Sequence, residues 1–242
     1  MARIFITGSA DGLGQLAARS LISQGHEVVL HARNEERAQD AQTGAPGAAG
    51  ALAADLGDNE ETKRLATRVN ALGHFNAVIH NAAVYQTHSE NILTVNILAP
   101  YILTSLIKPP ERLIYMSSGM HTGGNVNFES FRSGGNITYS DSKLYVLMLA
   151  KAIARRWPDV YSNAVDPGWV PTKMGGANAP DDLEEGYETQ LWLAVSDDPA
   201  AKVSGKYFHH KKQRASAAAA DDIQLQDQLH DVCEELTGVR LP

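Results

Sequence analysis

Short apolar runs recur along the first half of the chain at Arg3–Thr7, Glu27–His31, Ala51–Ala54, Ala77–His80 and Arg112–Met116. Each is rich in β-branched, aromatic or small apolar residues and each reads as a strand. Between the first two, Leu13, Leu16, Ala17 and Leu21 follow helical spacing, so Leu13–Gln24 is expected to be a helix with Gly25 as its C-terminal cap. Helical or loop material separates each later pair. Further helical runs at Leu144–Trp157 and Glu184–Val195 precede two more strands, Tyr161–Val165 and Lys206–Phe208, and a helix from about Asp221 to Leu236 closes the chain. Alternation of this kind predicts an α/β fold with a doubly wound parallel sheet of the Rossmann type.

The chain of 242 residues, 43% hydrophobic, holds enough apolar material for one sizeable core, with no repeat or linker, so 1–242 reads as a single domain. Small-residue loops interrupt it at Thr43–Gly50, His121–Asn136 and Gly175–Pro180. The first reads as a surface connection, and the stretch at about 171–186 as a substrate loop. His209–Arg214, the one basic cluster, reads as a solvated loop.

A net charge of -7 argues against nucleic-acid or anionic-membrane partners. The lone Cys233 precludes an internal disulfide, and no apolar run approaches membrane-spanning length. Met1–Thr7 runs straight into the first strand without the form of a signal peptide, so a cytoplasmic location is the expectation. The nine histidines show no metal-ligand spacing backed by acids, and no catalytic metal is expected.

Candidate chemistry begins at Thr7-Gly8-Ser9-Ala10-Asp11-Gly12-Leu13-Gly14, between the first strand and first helix. Glycines there let backbone approach a pyrophosphate, and a helix N-terminus favours its charge. Tight strand-to-helix packing would use the same residues. After the second strand, His31-Ala32-Arg33-Asn34 lacks the acid that would bind a free ribose 2′-hydroxyl and offers Arg33, whose guanidinium suits a 2′-phosphate. Asp11 brings a negative charge to the same turn. Farther on, Tyr139 and Lys143 stand four residues apart, on one face of a helix. An ammonium about 4 Å from a phenolate, at an effective dielectric near 20, stabilises it by roughly 4 kcal/mol, enough to bring a tyrosine toward neutral-pH proton transfer. Ser140-Asp141-Ser142-Lys143 also satisfies S-x-x-K, but the S-D-N, K-T-G and G-x-S-x-G elements of serine acyl transfer are missing.

Taken in order, the motifs resemble the short-chain dehydrogenase/reductase family, from the T-G-x-x-x-G-x-G turn through Y-x-x-x-K to Gly205-Lys206-Tyr207-Phe208. Ser117-Ser118-Gly119-Met120-His121 and Ser204–Phe208 are similar to the retinol-dehydrogenase-like branch. The resemblance implies a nicotinamide cofactor touched by Gly8, Ser9, Gly12, Leu13 and Gly14 at its phosphates, and NADP(H) in preference to NAD(H) through Arg33. Asp55 and Leu56 would then meet the adenine. Asn81, Ala82 and Ala83 would follow along the cofactor, with Ala83 where the family usually has glycine. Pro167, Gly168, Val170 and Thr172 would border the nicotinamide. Catalysis would fall to Asn96, Ser118, Tyr139 and Lys143: Ser118 fixing the substrate oxygen, Tyr139 exchanging the proton, Lys143 lowering the tyrosine pKa and holding the ribose, Asn96 completing a proton path. The implied activity interconverts a small-molecule carbonyl and alcohol by hydride transfer, and the family leaves room for a homo-oligomer. A redox-sensing regulator that binds NADP(H) without turnover is the alternative, although such proteins typically lose the tyrosine or lysine, and both stand here.

Overall fold

The computed structural model describes residues 1–242. Its centre is one eight-stranded sheet in the order β3-β2-β1-β4-β5-β6-β7-β8. In chain order the strands are β1 (Arg3–Ile6), β2 (Glu27–Ala32), β3 (Gly50–Ala53), β4 (Ala77–His80), β5 (Arg112–Met116), β6 (Tyr161–Asp166), β7 (Tyr207–His209) and β8 (Lys212–Arg214). The first seven are parallel. The helices are α1 (Gly12–Ser23), α2 (Glu35–Gly44), α3 (Asn59–Ala71), α4 (Ser89–Leu93), α5 (Ala99–Leu106), α6 (Phe128–Arg132), α7 (Tyr139–Arg156), α8 (Leu183–Val195) and α9 (Ile223–Thr237).

Strand alternation divides the apolar residues between two cores. Phe5, Val78, Leu113, Tyr115 and Ala164 face α3, α5, α7 and α9, whereas Ile4, Ile6, Ile79, Ile114 and Val165 face α1 and α8. With helices on both faces, the central strands are apolar throughout, which is why they read as continuous runs.

Several boundaries depart from the pattern-based expectation. His209–Arg214 is not a solvated loop: β7 turns back into the antiparallel β8, with His210 and Lys211 at positive φ in the turn. The polar run hid this strand because its residues lie exposed at the sheet edge. Helix α7 begins at Tyr139, five residues before the expected Leu144, because Thr138 and Asp141 form a capping box. The His121–Asn136 stretch holds a 3-10 turn over Gly119–Gly123 and α6. The 171–186 stretch is irregular only to Asp182, whose side chain caps α8 through the amides of Glu184 and Glu185. No helix is long and apolar enough to cross a membrane.

Candidate active site

Strand order reverses between β1 and β4, and the carboxyl ends of the strands open there on a cleft of about 640 Å³. The turn after β1 forms its floor. Gly8 sits at φ +63°, and a Cβ on it would lie 2.8 Å from Ala82 Cα. A Cβ on Gly14 would lie 2.4 Å from Asn81 Nδ2 and 2.5 Å from the Gly8 carbonyl. Glycine at both places lets the turn press onto the exit of β4, where Asn81 Nδ2 donates to the carbonyls of Thr7 and Gly8 at 3.0 Å each and Ala82 N–H donates to Thr7 Oγ1. No side chain caps α1 and no acid stands in its first turn, so the amides at Gly12 and Leu13 meet the cleft at the positive end of the helix.

His31 was passed over in the sequence and turns out to organise this turn. It is buried, accepts from Gly8 N–H through Nδ1 at 3.0 Å and places Nε2 3.1 Å from the Ala54 carbonyl. That pairing requires the neutral Nε2–H tautomer, and burial lowers its pKa to about 4. A histidine in an otherwise apolar strand was the available signal. Ser9 lies beside it, buried, donating to the Ile6 carbonyl and accepting from His31 N–H, so it braces the turn rather than lining the cleft.

Arg33, Asp55 and Leu56 line the far end of the cleft, as do Asn81, Ala82 and Ala83 along its wall. Arg33 is exposed and makes no hydrogen bond or ion pair. Asp11, by contrast, is neutralised: its Oδ2 takes Arg37 at 2.7 Å and Lys173 at 3.1 Å, joining the glycine turn to α2 and to the segment after β6. Neither cation was singled out from sequence, since the contacts are 26 and 162 residues apart along the chain.

Tyr139 and Lys143 line the opposite end with Pro167 and Thr172. Lys143 Nζ lies 5.2 Å from the centre of the Tyr139 ring and donates to the Met116 carbonyl at 2.7 Å. Burial lowers the Lys143 pKa to about 8, partly offset by Asp166. The expected lowering of the tyrosine is not what this arrangement gives: burial pushes the Tyr139 phenol up, and Asp166 and Tyr85 add to the rise. The ammonium is spent on a backbone carbonyl while the phenol is desolvated. Tyr85, unremarked in the sequence, meets Tyr139 edge to face with ring centres 4.8 Å apart.

The remaining expected residues stand outside the cleft lining. Ser117 lines the cleft and bonds the Lys143 carbonyl through Oγ, while Ser118 begins the next turn and accepts from Met120 N–H. Asn96 sits in a π-helical turn, Thr94–Leu98, between α4 and α5. Its Oδ1 accepts from Val84 N–H, and its Nδ2 donates to the Val84 carbonyl and Ser142 Oγ, so the side chain ties the loop after β4 to α7. Gly168 and Val170 shape the loop beneath: Gly168 sits at φ +81°, in the left-handed region that favours glycine, and Val170 is buried against Gly186.

A doubly wound sheet with an uncapped helix and a glycine turn at its switch point defines a dinucleotide-binding α/β protein. The model for short chain dehydrogenases matches residues 2–183, three quarters of the chain. This chain belongs to the short-chain dehydrogenase/reductase family of oxidoreductases. A short-chain dehydrogenase of Gibberella zeae, chry4, is 43% identical over 100% of this chain and 99% of its own. Retinol dehydrogenase 14 of Mus musculus is 27% identical over 98% of this chain and 86% of its own. The crystal structure of a short chain dehydrogenase from Shigella flexneri, complexed with NADP, shares the fold with a TM-score of 0.69 at 22% identity, over 87% of this chain and 97% of that one.

Proposed function

We propose that this protein is an NADP(H)-preferring reductase that converts a small-molecule ketone or aldehyde to its alcohol, with Tyr139 as general acid. The observation that carries the reading is the pairing of Tyr139 and Lys143 at one end of a cleft whose other end holds the unpartnered Arg33. The cleft fits the group the family implies: free helical amides at Gly12 and Leu13 for phosphates, Arg33 for a 2′-phosphate, and Asp55 with Leu56 at the adenine end. Bound there, the nicotinamide supplies the hydride.

The chain's own residues supply the rest. Tyr139 is the group placed to protonate a carbonyl oxygen as that oxygen gains charge, and Lys143, on the same helix face, is the cation that would counter the rise burial gives its phenol. Ser118 orients the oxygen, and Lys143, once its ammonium leaves the Met116 carbonyl, holds the ribose. Nothing in the site favours a regulator without turnover, since both members of the catalytic pair stand at the cleft.

Fluorescence titration of wild type and Arg33→Ala with NADPH and NADH tests the cofactor assignment. One charge-assisted phosphate contact, worth about 1.5–3 kcal/mol, predicts that the variant loses roughly 10- to 100-fold in NADPH affinity with little change for NADH. Equal losses for the two, or none, would remove Arg33 from the 2′-phosphate role.

A further inference from the structure

Asp11 occupies the N-cap position of α1, where a carboxylate ordinarily accepts from the first helical amides, yet its side chain makes no such bond. It is drawn sideways instead: Oδ2 accepts from Arg37 at 2.7 Å and from Lys173 Nζ at 3.1 Å. The amides at Gly12 and Leu13 are thereby left open to the cleft, at the positive end of the helix. The two cations differ in freedom. Arg37 stands on α2 outside the cleft lining, with its backbone N–H held by the Asn34 side chain and its guanidinium also 3.6 Å from Asp40. Lys173 lines the cleft, and its side chain is 80% exposed. An exposed ion pair of this kind holds little free energy, so Lys173 can exchange Asp11 for a stronger anion.

The segment that carries Lys173 already lies on the glycine turn. Thr172 stands over Gly12, where a Cβ would be 3.9 Å from Thr172 Cγ2. Thr172 is itself held in a turn, accepting Gly175 N–H on Oγ1 and Gly176 N–H on its carbonyl. Farther along, Asp181 N–H donates to the Trp169 carbonyl and closes the neck of the loop. Three Lys or Arg side chains line the cleft: Arg33 at the end with Asp55, Lys143 beside Tyr139, and Lys173. Lys173 is the one next to the free amides of α1, between the other two. Asp11 on its own would repel a phosphate there. With Arg37 kept on its carboxylate, that repulsion is cancelled and the charge of Lys173 is left in excess.

We infer that Lys173 is a ligand of the cofactor's diphosphate, drawn off Asp11 as the dinucleotide binds, while Arg37 stays behind as the counter-ion of Asp11. The inference rests on the dinucleotide cleft of the reductase reading above. It divides the anion contacts of that cleft in two: Arg33 for the 2′-phosphate, and Lys173 for the diphosphate that NADPH and NADH share.

Calorimetry at low salt with NADPH and NADH, and displacement of NADPH by adenosine 2′-monophosphate, test the division. Lys173→Ala is expected to weaken NADPH and NADH alike, roughly 5- to 20-fold, and to leave adenosine 2′-monophosphate within about 2-fold, the scale of one exposed charge-assisted contact. Lys173→Arg should recover most of the loss, and added salt should narrow it. The same loss should appear when Lys173→Ala is made in an Asp11→Asn background, because the contact is with the ligand and not with Asp11. A loss confined to NADPH and adenosine 2′-monophosphate would overturn the inference and move Lys173 to the 2′-phosphate. Wild-type affinity in Lys173→Ala would overturn it as well, and so would a loss that disappears once Asp11 is replaced, which would reduce Lys173 to a strut of the turn. If the wild-type protein binds neither dinucleotide, the reductase reading itself falls and takes the inference with it.

Discussion

Replacing His31 with leucine isolates the device that holds the phosphate-binding turn. The imidazole accepts from Gly8 N–H and bonds the Ala54 carbonyl, both within the fold's interior. Leucine keeps comparable bulk but leaves the Gly8 amide without a partner, at a cost of about 1–3 kcal/mol. At pH 8 the variant should therefore unfold in less urea than wild type, and NADPH affinity should fall as the turn loosens.

The pH dependence is the sharper readout. With a folded pKa of about 4 against 6.5 unfolded, His31 stays neutral in the native state while the unfolded chain takes up a proton. Its contribution is present above pH 6.5 and is lost as pH falls toward 4. Linkage puts the loss at about 2 kcal/mol between pH 8 and pH 5. His80, lowered to about 3, and His230, lowered to about 4, add losses in the same direction. Equilibrium urea unfolding of wild type and His31→Leu at both pH values subtracts them. Wild type should lose about 2 kcal/mol more than the variant on acidification. Parallel losses in the two proteins, or an unchanged NADPH affinity, would refute the assignment of a neutral histidine beneath the turn.

Two further outcomes follow from the charges in the cleft. Lys143 carries a folded pKa of about 8 against 10.5, so below pH 8 the native state bears the full cost of a buried ammonium. Lys143→Met should raise stability at pH 7 by about 1–3 kcal/mol in urea titrations while abolishing turnover; a less stable variant would show that the bond to Met116 outweighs burial. Asp11→Asn frees Arg37 and Lys173 for an anionic ligand, and calorimetry should find NADPH binding roughly 3- to 10-fold tighter at low salt, with the gain fading as salt rises. Weaker binding would mean that the ion pairs hold the cleft in shape.

The sheet was legible because parallel strands buried on both faces leave continuous apolar runs, and all seven expected strands are present within a residue or so of their predicted limits. β8 was not, since an edge strand of Lys, Gln and Arg carries no apolar signal. Of the candidate site, the residues within a few positions of a strand end could be read, because local chain direction carries them to the cleft. Asn96 shows the limit: a polar residue in an apolar run was visible, but its direct partners Val84 and Ser142 lie 12 and 46 residues away and could not be read. The Tyr139–Lys143 spacing placed both side chains on one helix face. The field they experience could not be read, since it depends on burial and on Asp166 from another strand.

Proton delivery by Tyr139 in a carbonyl reduction driven by NADPH is the step on which the proposed function stands. The direct measurement is single-turnover NADPH oxidation on a ketone or aldehyde substrate, wild type against Tyr139→Phe, with the dinucleotide pre-bound to each. Loss of a general acid predicts a fall of about 10²- to 10⁴-fold in the hydride-transfer rate of a variant that still binds NADPH. A variant that reduces the ketone at the wild-type rate would contradict the account.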